Sequence, residues 1–169
     1  MGFCYTGTGD FWFYNADTFL YSASLYKVPV SMLVAEKEAA GELTQDSLIW
    51  GNTLQYLESS VLTFSSNESG HMLIDYMGGT AGGKCTDMIT RFASLPEEYY
   101  IDDYYNYSYY TARFMTQVMK TLYDGGDEQF PHVIEYLLPA LPDSYLNLTL
   151  KDKYPVAQKC GAYKEANGK

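Results

Sequence analysis

One apolar run in the first quarter of the chain has helical spacing and fixes where its helix must begin. Apolar side chains recur at helical spacing over residues 25–40, and Gly41 follows directly, as is typical of a helix that ends in a glycine cap. Pro29 lies inside this run. Because proline has no backbone N–H, it is tolerated only in the first turns of a helix. The pattern therefore predicts an amphipathic helix that begins close to Ser24.

The segments on either side of this helix predict a strand pair, a helical middle and a late strand. Aromatic residues at positions 3–5 and 11–14 flank the sequence Gly-Thr-Gly-Asp, which favours a β-hairpin. Periodicity predicts one or two short helices within residues 43–60, and helices over residues 67–77, 84–94, 111–123 and 127–137. A strand is expected from residue 155 through 163. This order predicts one domain (residues 1–169) of the α+β class, with sheet strands within residues 1–15 and 155–165 and a helical lobe over residues 24–150.

Composition narrows the classes of partner. The chain has 169 residues, 47% of them hydrophobic and 19% charged, which is typical of one globular domain. Its formal net charge of −10 repels phosphate backbones and disfavours nucleic acid as a partner. No apolar run reaches the roughly 20 residues that cross a bilayer. A predicted strand follows Met1 closely, so we expect any export signal to lie outside these residues.

Cysteine and histidine spacing argues against a metal site. The three cysteines and two histidines form no C-x-x-C or H-x-x-x-H pattern, so neither a zinc site nor a complete set of disulfides is expected. The segment from Gly78 to Cys85 matches a nucleotide-binding P-loop except at its last position, where the motif needs serine or threonine. A glycine-rich turn between two helices is the expected structure there. We expect no metal and no cofactor.

Ser24 and Lys27 form the first of three short motifs that carry chemical groups. A serine and a lysine three residues apart on a helix lie on the same face, and a helix N-terminus offers positive potential to a developing oxyanion. A serine hydroxyl becomes a nucleophile when a base accepts its proton, and a lysine kept neutral by nearby positive charge can be that base. The second motif is Ser65-Ser66-Asn67, at the start of a predicted helix, and the third is Lys159-Cys160-Gly161, in the late strand.

In this order the motifs resemble the S-x-x-K, S-D-N and K-T-G motifs of class A β-lactamases and penicillin-binding proteins. The resemblance covers nearly the whole chain. It implies that Ser24 attacks a carbonyl carbon, that Lys27 takes or relays the serine proton, and that Ser65 passes a proton to the leaving nitrogen. The implied substrate-binding residues are Asn67, Lys159, Cys160, Gly161 and Ala162, with the backbone N–H groups of Ser24 and Ala162 forming an oxyanion hole.

Three features depart from the pattern of this family. Cys160 replaces a hydroxyl residue, and because a thiol is a weaker hydrogen-bond partner, recognition of a substrate carboxylate is expected to differ. Asp102, four residues before Asn106, is the candidate for the carboxylate that deacylates class A enzymes. The resemblance also implies two more strands and a helix after the third motif. We therefore expect a C-terminally truncated fragment, or a sheet that a partner chain completes, with an open edge that favours self-association.

The resemblance implies a serine hydrolase that forms an acyl-enzyme at Ser24 on β-lactams or on peptidoglycan-type amides. Two alternatives remain open. One is a D,D-peptidase of the penicillin-binding type that deacylates slowly, and the other is a non-hydrolytic binding or sensor module with the same fold. The expected partner is a small β-lactam or a peptidoglycan stem peptide of the bacterial cell wall. The family resemblance further implies an extracytoplasmic location.

Overall fold

Short antiparallel strand pairs and a larger helical lobe make up the described part of the computed structural model, which comprises residues 1–79, 88–93, 109–143 and 145–162. The strands are β1 Gly2–Tyr5, β2 Asp10–Phe13, β3 Leu20–Tyr21, β4 Leu48–Ile49, β5 Asn52–Thr53 and β6 Tyr109–Tyr110. The helices are α1 Lys27–Ala39, α2 Leu54–Leu62, α3 Asn67–Tyr76, α4 Ala112–Gln129, α5 Val133–Leu137 and α6 Asn147–Leu150. Among these residues the strands pair as β1–β2, β3–β6 and β4–β5.

The predicted N-terminal hairpin is confirmed. Strands β1 and β2 pair antiparallel with Phe3 opposite Trp12, and Gly9 turns the chain between them with a φ of 77°. The hairpin packs against α4. Arg113 of α4 contributes to this contact, because its guanidinium lies 4.1 Å from the centre of the Phe13 ring and pairs with Asp17. The helical lobe therefore holds one face of the hairpin.

The predicted helix over residues 25–40 is confirmed as α1, which forms the centre of the helical lobe. It begins at Lys27 after a 3₁₀ turn over Ala23–Tyr26, so Pro29 lies in its first turn, and Gly41 follows with a φ of +75°. Apolar side chains are buried on several faces of α1, which packs against α2, α3, α4 and α5. Burying aliphatic side chains in this way is the main favourable term in folding.

Two helix predictions were wrong in their bounds. Within residues 43–60 the chain first forms the β4–β5 pair, because Trp50 and Gly51 both adopt positive φ values, of 50° and 85°, in a tight turn. Only then does α2 begin, with Thr53 as its N-cap. Residues 127–137 do not form one helix: residues 127–129 end α4 beyond a kink at Gly126, and α5 begins only at Val133, after His132 adopts a left-handed conformation.

The predictions for the glycine-rich segment and the neighbouring helices had a mixed outcome. Helix α3 confirms the helix predicted over residues 67–77, and Gly78 and Gly79 end it with positive φ values. A helix rather than a buried strand therefore precedes the glycine-rich segment, which contradicts the P-loop alternative. Of the helix predicted over residues 84–94, residues 88–93 are described and residues 88–90 are helical. No helix in the described ranges is long and apolar enough to cross a bilayer.

The late strand prediction was wrong for the residues that the structure describes. Residues 155–162 have no strand assignment and do not pair with the N-terminal hairpin. Their contacts lie elsewhere, because the backbone N–H of Gln158 donates to the carbonyl of Leu137 and its side-chain amide donates to the carbonyl of Leu141. The segment is therefore attached to the helical lobe, and a groove separates it from β1.

Candidate active site

Ser24 and Lys27 occupy the entry to the central helix. Ala23 has a φ of 47°, a conformation that is unfavourable for a residue with a Cβ, and it directs the chain into the 3₁₀ turn that carries Ser24. Lys27, the first residue of α1, has no exposed surface. A fully buried lysine is rare unless its ammonium has partners. The partners of Lys27 identify the rest of the site.

The link between α2 and α3 supplies these partners. Ser66 is the N-cap of α3, because its hydroxyl accepts a hydrogen bond from the backbone N–H of Ser69. Ser65 precedes it with a φ of 60°, and Asn67 follows as the first helical residue. Neither Ser65 nor Asn67 is therefore the cap, so the side chains of both residues are available to contact Lys27. Strained backbone of this kind is frequent at functional sites.

Five predicted site residues, two of them lysines, form one hydrogen-bonded network. Nζ of Lys27 lies 3.1 Å from Oγ of Ser24, 2.6 Å from the carbonyl oxygen of Ser65 and 3.3 Å from its Oγ. The same Nζ lies 2.7 Å from Oδ1 of Asn67. Nζ of Lys159 donates to Oγ of Ser65 over 2.7 Å. The Ser65 hydroxyl is thus placed between the two lysines.

The carbonyl and amide partners of Lys27 leave one of its tetrahedral positions to the hydroxyls of Ser24, at 3.1 Å, and Ser65, at 3.3 Å. The carbonyl oxygen of Ser65 and Oδ1 of Asn67 can only accept hydrogen bonds, so they take two N–H groups of Lys27 in either protonation state. The nitrogen of a neutral lysine retains one lone pair. Because Oγ of Ser24 is within hydrogen-bonding distance of this nitrogen, the lone pair can accept the serine proton. Neutral Lys27 can therefore serve as a general base without leaving its other partners.

Burial and a neighbouring cation favour the neutral form of Lys27. Burial, together with the positive charge of Lys159, lowers the pKa of Lys27 from 10.5 to about 8. Burial also lowers the pKa of Lys159, and the nearby Cys160 opposes this shift. A lysine with a pKa near 8 is partly neutral at neutral pH, whereas an ordinary lysine is almost entirely charged. The site therefore meets the electrostatic requirement for a lysine base.

Glycines allow two segments to approach the site closely. A Cβ on Gly161 would lie 2.4 Å from the carbonyl oxygen of Ser22, so only glycine fits where residues 160–162 pass the Ser24 turn. A Cβ on Gly70 would lie 3.0 Å from the hydroxyl of Tyr26 and 3.3 Å from Cε of Lys27. Sequence reasoning missed Gly70 and Tyr26. The signal that was available is an isolated glycine inside a helical pattern, which often marks a close contact.

The remaining predicted residues differ in what the structure says of them. Cys160 is half-buried with a free thiol, and Ala162 is exposed beside Gly161. The segment that carries them passes the Ser24 turn, as an oxyanion hole between the two backbones requires. Asp102 lies outside the described residues, so its suggested role stays a prediction. Among the described residues no group of three histidine, cysteine or acidic side chains could hold a metal ion.

Comparison with solved structures identifies the architecture. An ancestral class A β-lactamase superposes with a TM-score of 0.77 and 19% identity, over 98% of this chain and 74% of that one. A β-lactamase from Xanthomonas campestris gives 0.75 at 14% identity, over 95% of this chain and 71% of that one. A β-lactamase from Chitinophaga pinensis gives 0.72 at 16% identity, over 96% and 73%. The chain has the class A β-lactamase fold.

The β-lactamase fold accounts for the α+β class that the sequence predicts, and the family resemblance is confirmed at the level of the fold. No protein-family model and no curated protein matches the sequence. At identities of 14–19% the likeness concerns the fold. About a quarter of the ancestral β-lactamase has no counterpart in this chain, since the match covers 74% of it. The comparisons therefore establish the fold, and the chemistry of the site depends on its own residues.

Proposed function

We propose that the chain is a β-lactamase-like serine hydrolase that forms an acyl-enzyme at Ser24 on β-lactam or peptidoglycan-type amides. The observation that carries the proposal is the convergence of Ser24, Lys27 and Ser65, with Lys159 beyond them, in one hydrogen-bonded network. These residues come from three separate parts of the sequence. A serine that only caps a helix, or a lysine that only faces solvent, would not require residues from separate parts of the sequence to meet.

The first step of the proposed reaction is acylation. Oγ of Ser24 attacks the amide carbonyl carbon and forms a C–O bond, while its proton passes to neutral Lys27. Negative charge develops on the carbonyl oxygen. The backbone N–H groups of Ser24 and Ala162 are the proposed donors to this oxyanion, and typical losses on removing one such donor are about 10²–10³-fold in rate.

The second step breaks the C–N bond. The leaving nitrogen needs a proton, and the hydroxyl of Ser65 is the proposed donor. Because this hydroxyl lies between Nζ of Lys27 and Nζ of Lys159, the proton that Lys27 received can replace the one that Ser65 gives up. Lys27 then returns to its neutral form, and Ser24 carries the acyl group.

Hydrolysis of the ester requires an activated water. Asp102 is the proposed base for this step if the chain turns over rapidly. The alternative is the penicillin-binding type of behaviour, in which the ester persists. Among the described residues, the hydrogen-bonded network that includes Ser24 contains lysine, serine and asparagine side chains and no carboxylate. The identity of Cys160 favours altered carboxylate recognition in either case.

Kinetics with two substrates separate these behaviours. We expect a fluorescent penicillin to label the protein covalently, and Ser24→Ala to abolish labelling with the fold intact by circular dichroism. Turnover of a chromogenic cephalosporin beyond one equivalent supports the hydrolase, and a single stoichiometric burst supports the slowly deacylating alternative. A folded protein that neither labels nor turns over would refute acylation and favour a non-hydrolytic binding module.

A further inference from the structure

The second and third motifs are both attached to the carboxyl-terminal end of α5. Oγ1 of Thr63, two residues before the first serine of the second motif, donates to the carbonyl oxygen of Tyr136 over 2.7 Å. The backbone N–H of Gln158, directly before the lysine of the third motif, donates to the carbonyl oxygen of Leu137 over 3.4 Å. Two consecutive carbonyl groups of one helix therefore bind the segments that carry the two motifs.

The side chain of Gln158 adds to this attachment. Its amide nitrogen donates to the carbonyl oxygen of Leu141 over 2.8 Å and to that of Ala140 over 3.2 Å. Only 8% of Gln158 is exposed, so water competes little for these bonds. Leu141 has a φ of 52°, which is rare for a residue with a Cβ and persists only where the surroundings support it. The amide therefore joins the backbone beside Lys159 to the turn that follows α5.

Helix α5 is a well-packed base for both attachments. Val133 and Leu137 have no exposed surface, and the helix packs against α1, α2 and α4. The hydroxyl of Tyr136 also donates to the side-chain amide oxygen of Gln45 over 2.6 Å. Because close-packed interiors have low compressibility, the loss of one attachment should displace the attached segment more than it displaces α5.

The two attached segments meet again in the site. Nζ of Lys159 donates to Oγ of Ser65 over 2.7 Å. A lysine ammonium is carried on a flexible four-carbon stem, so its position depends on where its backbone is held. A misplacement of about 1 Å in a reacting geometry can cost about 10²-fold in rate. The attachments beside Ser65 and Lys159 therefore bear on the proposed proton transfer.

We propose that Thr63 and Gln158 are positioning residues that set the distance between the second and third motifs by anchoring both segments to the carbonyl end of α5. Thr63 acts through Ser65, and Gln158 acts through Lys159. The effect on catalysis rests on the proposed function, but the geometry exists in the protein without substrate. Loss of either attachment lets the ammonium of Lys159 move away from that of Lys27, because like charges repel.

Asn147 offers a matched control, since it binds the same turn without holding a motif. Its side-chain amide donates to the carbonyl oxygens of Ala140 and Leu141 over 3.4 and 3.3 Å, and only 4% of Asn147 is exposed. Asn147 belongs to α6. Asn147→Leu therefore removes bonds of the same kind, from the same two carbonyl groups, without releasing the segment of Lys159.

Titration of Lys27 by NMR tests the positions in the protein without substrate. Burial and, after it, the positive charge of Lys159 lower the pKa of Lys27, so withdrawal of that charge should raise this pKa. The signal of Lys27 in protein with isotope-labelled lysine is assigned by its absence in Lys27→Arg. We expect Thr63→Val and Gln158→Met each to raise the pKa of Lys27 by about 0.5 or more, and Asn147→Leu to change it by less than about 0.2.

Acylation by a fluorescent penicillin is measured on the same variants. We expect Thr63→Val and Gln158→Met each to slow acylation about tenfold or more, and the double variant to lose little more, because both changes act on one distance. Thr63→Ser keeps the hydroxyl and should restore both the rate and the pKa of Lys27. Asn147→Leu should lower the Tm and keep the rate within about twofold. The Tyr26 ring, 5.7 Å from Nζ of Lys27, is the same in every variant.

Two outcomes overturn the proposal. One is an unchanged pKa of Lys27 in folded Thr63→Val and Gln158→Met, and the other is an equal rise in Asn147→Leu, which would mean that any loss at this turn has the same effect. If the pKa pattern is as expected but the unaltered protein does not acylate, the positioning role stands and the proposed function fails. If one of the two variants does not fold, the other decides, since each breaks a different attachment.

Discussion

At the scale of single residues, Lys27 is the group whose chemistry the surroundings change most. Its side chain is fully buried, two of its partners can only accept hydrogen bonds, and Lys159 adds a second positive charge nearby. The side chains of Asn67 and Lys159 can each be altered separately by substitution. The base role of Lys27 can therefore be tested apart from its structural role.

The pH dependence of acylation should follow the titration of Lys27. With a pKa of about 8, about one tenth of the lysine is neutral at pH 7, and the neutral fraction rises until the lysine is fully deprotonated. We expect the second-order rate of penicillin acylation to rise about tenfold per pH unit below pH 8 and to level off above it. Stopped-flow fluorescence between pH 5.5 and 9.5 measures this profile. A rate that is flat across pH 8, with the fold intact, would exclude Lys27 as the base.

Arginine substitution separates a lysine base from a lysine cation. Lys27→Arg should lower the acylation rate by at least about 10²-fold, because arginine stays protonated and cannot accept the proton of Ser24. Lys159→Arg is the matched control, since Lys159 is proposed to supply charge and hydrogen bonds, and it should cost about tenfold or less. Equal losses in the two variants would mean that Lys27 only positions Ser24.

Gly70 should control the position of Lys27 through close packing. Alanine raises helix propensity by about 1 kcal/mol relative to glycine, so Gly70→Ala should leave α3 folded. Its new methyl group would press on Cε of Lys27 and on the Tyr26 hydroxyl. We expect a loss of acylation rate of tenfold or more with an unchanged or higher Tm. Full activity in Gly70→Ala would show that the site tolerates the displacement.

At the scale of secondary-structure elements, a partly buried polar network joins α1, α2 and α5. The side-chain amide of Gln45 donates to Glu38 of α1 and, over 3.0 Å, to Glu58 of α2. The hydroxyl of Tyr136 in α5 donates to the amide oxygen of Gln45 over 2.6 Å. Glu58 is fully buried and one of its oxygens has no partner, so burial raises its pKa from 4.5 to about 8.

This network makes stability depend on pH. The folded state keeps a proton on Glu58 that the unfolded chain releases near pH 4.5. The stabilising contribution is therefore complete below pH 4.5 and is lost as the pH rises towards 8, by up to about 1.4 kcal/mol per pH unit. Glu58→Gln removes this titration. We expect urea unfolding of the variant to be less pH-dependent than that of the unaltered protein between pH 5 and 8.

The other charged groups of the network require a control. Glu38, Glu135 and His132 also face the cluster, and carboxylate partners raise the pKa of His132. Glu128→Gln, at an exposed position of α4, should leave the pH dependence of unfolding unchanged. If Glu58→Gln and Glu128→Gln give the same profile as the unaltered protein, Glu58 is not the titrating group.

At the scale of the whole molecule, the sequence predicts which motif residues lie close together better than it predicts the sheet. Helix periodicity and Pro29 predict where α1 starts. That start places Ser24 and Lys27 close together at the beginning of the helix. The order of the motifs then led to Ser65 and Lys159, which the structure brings together. The start of α1 was predictable because it depends on local geometry, and the meeting of the three motifs followed from the family resemblance, whereas the catalytic roles of these residues stay predictions.

The predictions that failed depend on contacts that a sequence pattern does not contain. The segment with Pro155 has the composition of a strand, but strand structure requires a partner strand, and none pairs with this segment among the residues that the structure describes. The turn at Trp50 places a residue with a Cβ at positive φ, which turn preferences do not predict. Gly70 is explained only once α3 is packed against Lys27.

The central claim is that Ser24 forms a covalent ester, and peptide mapping by mass spectrometry tests it most directly. The protein is incubated with benzylpenicillin, quenched in acid and digested, and the peptide that gains the mass of the intact penicillin is sequenced. We predict one modified residue, Ser24, and no adduct in Ser24→Ala under the same conditions. An adduct on Ser22 or Ser65, or an undiminished adduct in Ser24→Ala, would contradict the account.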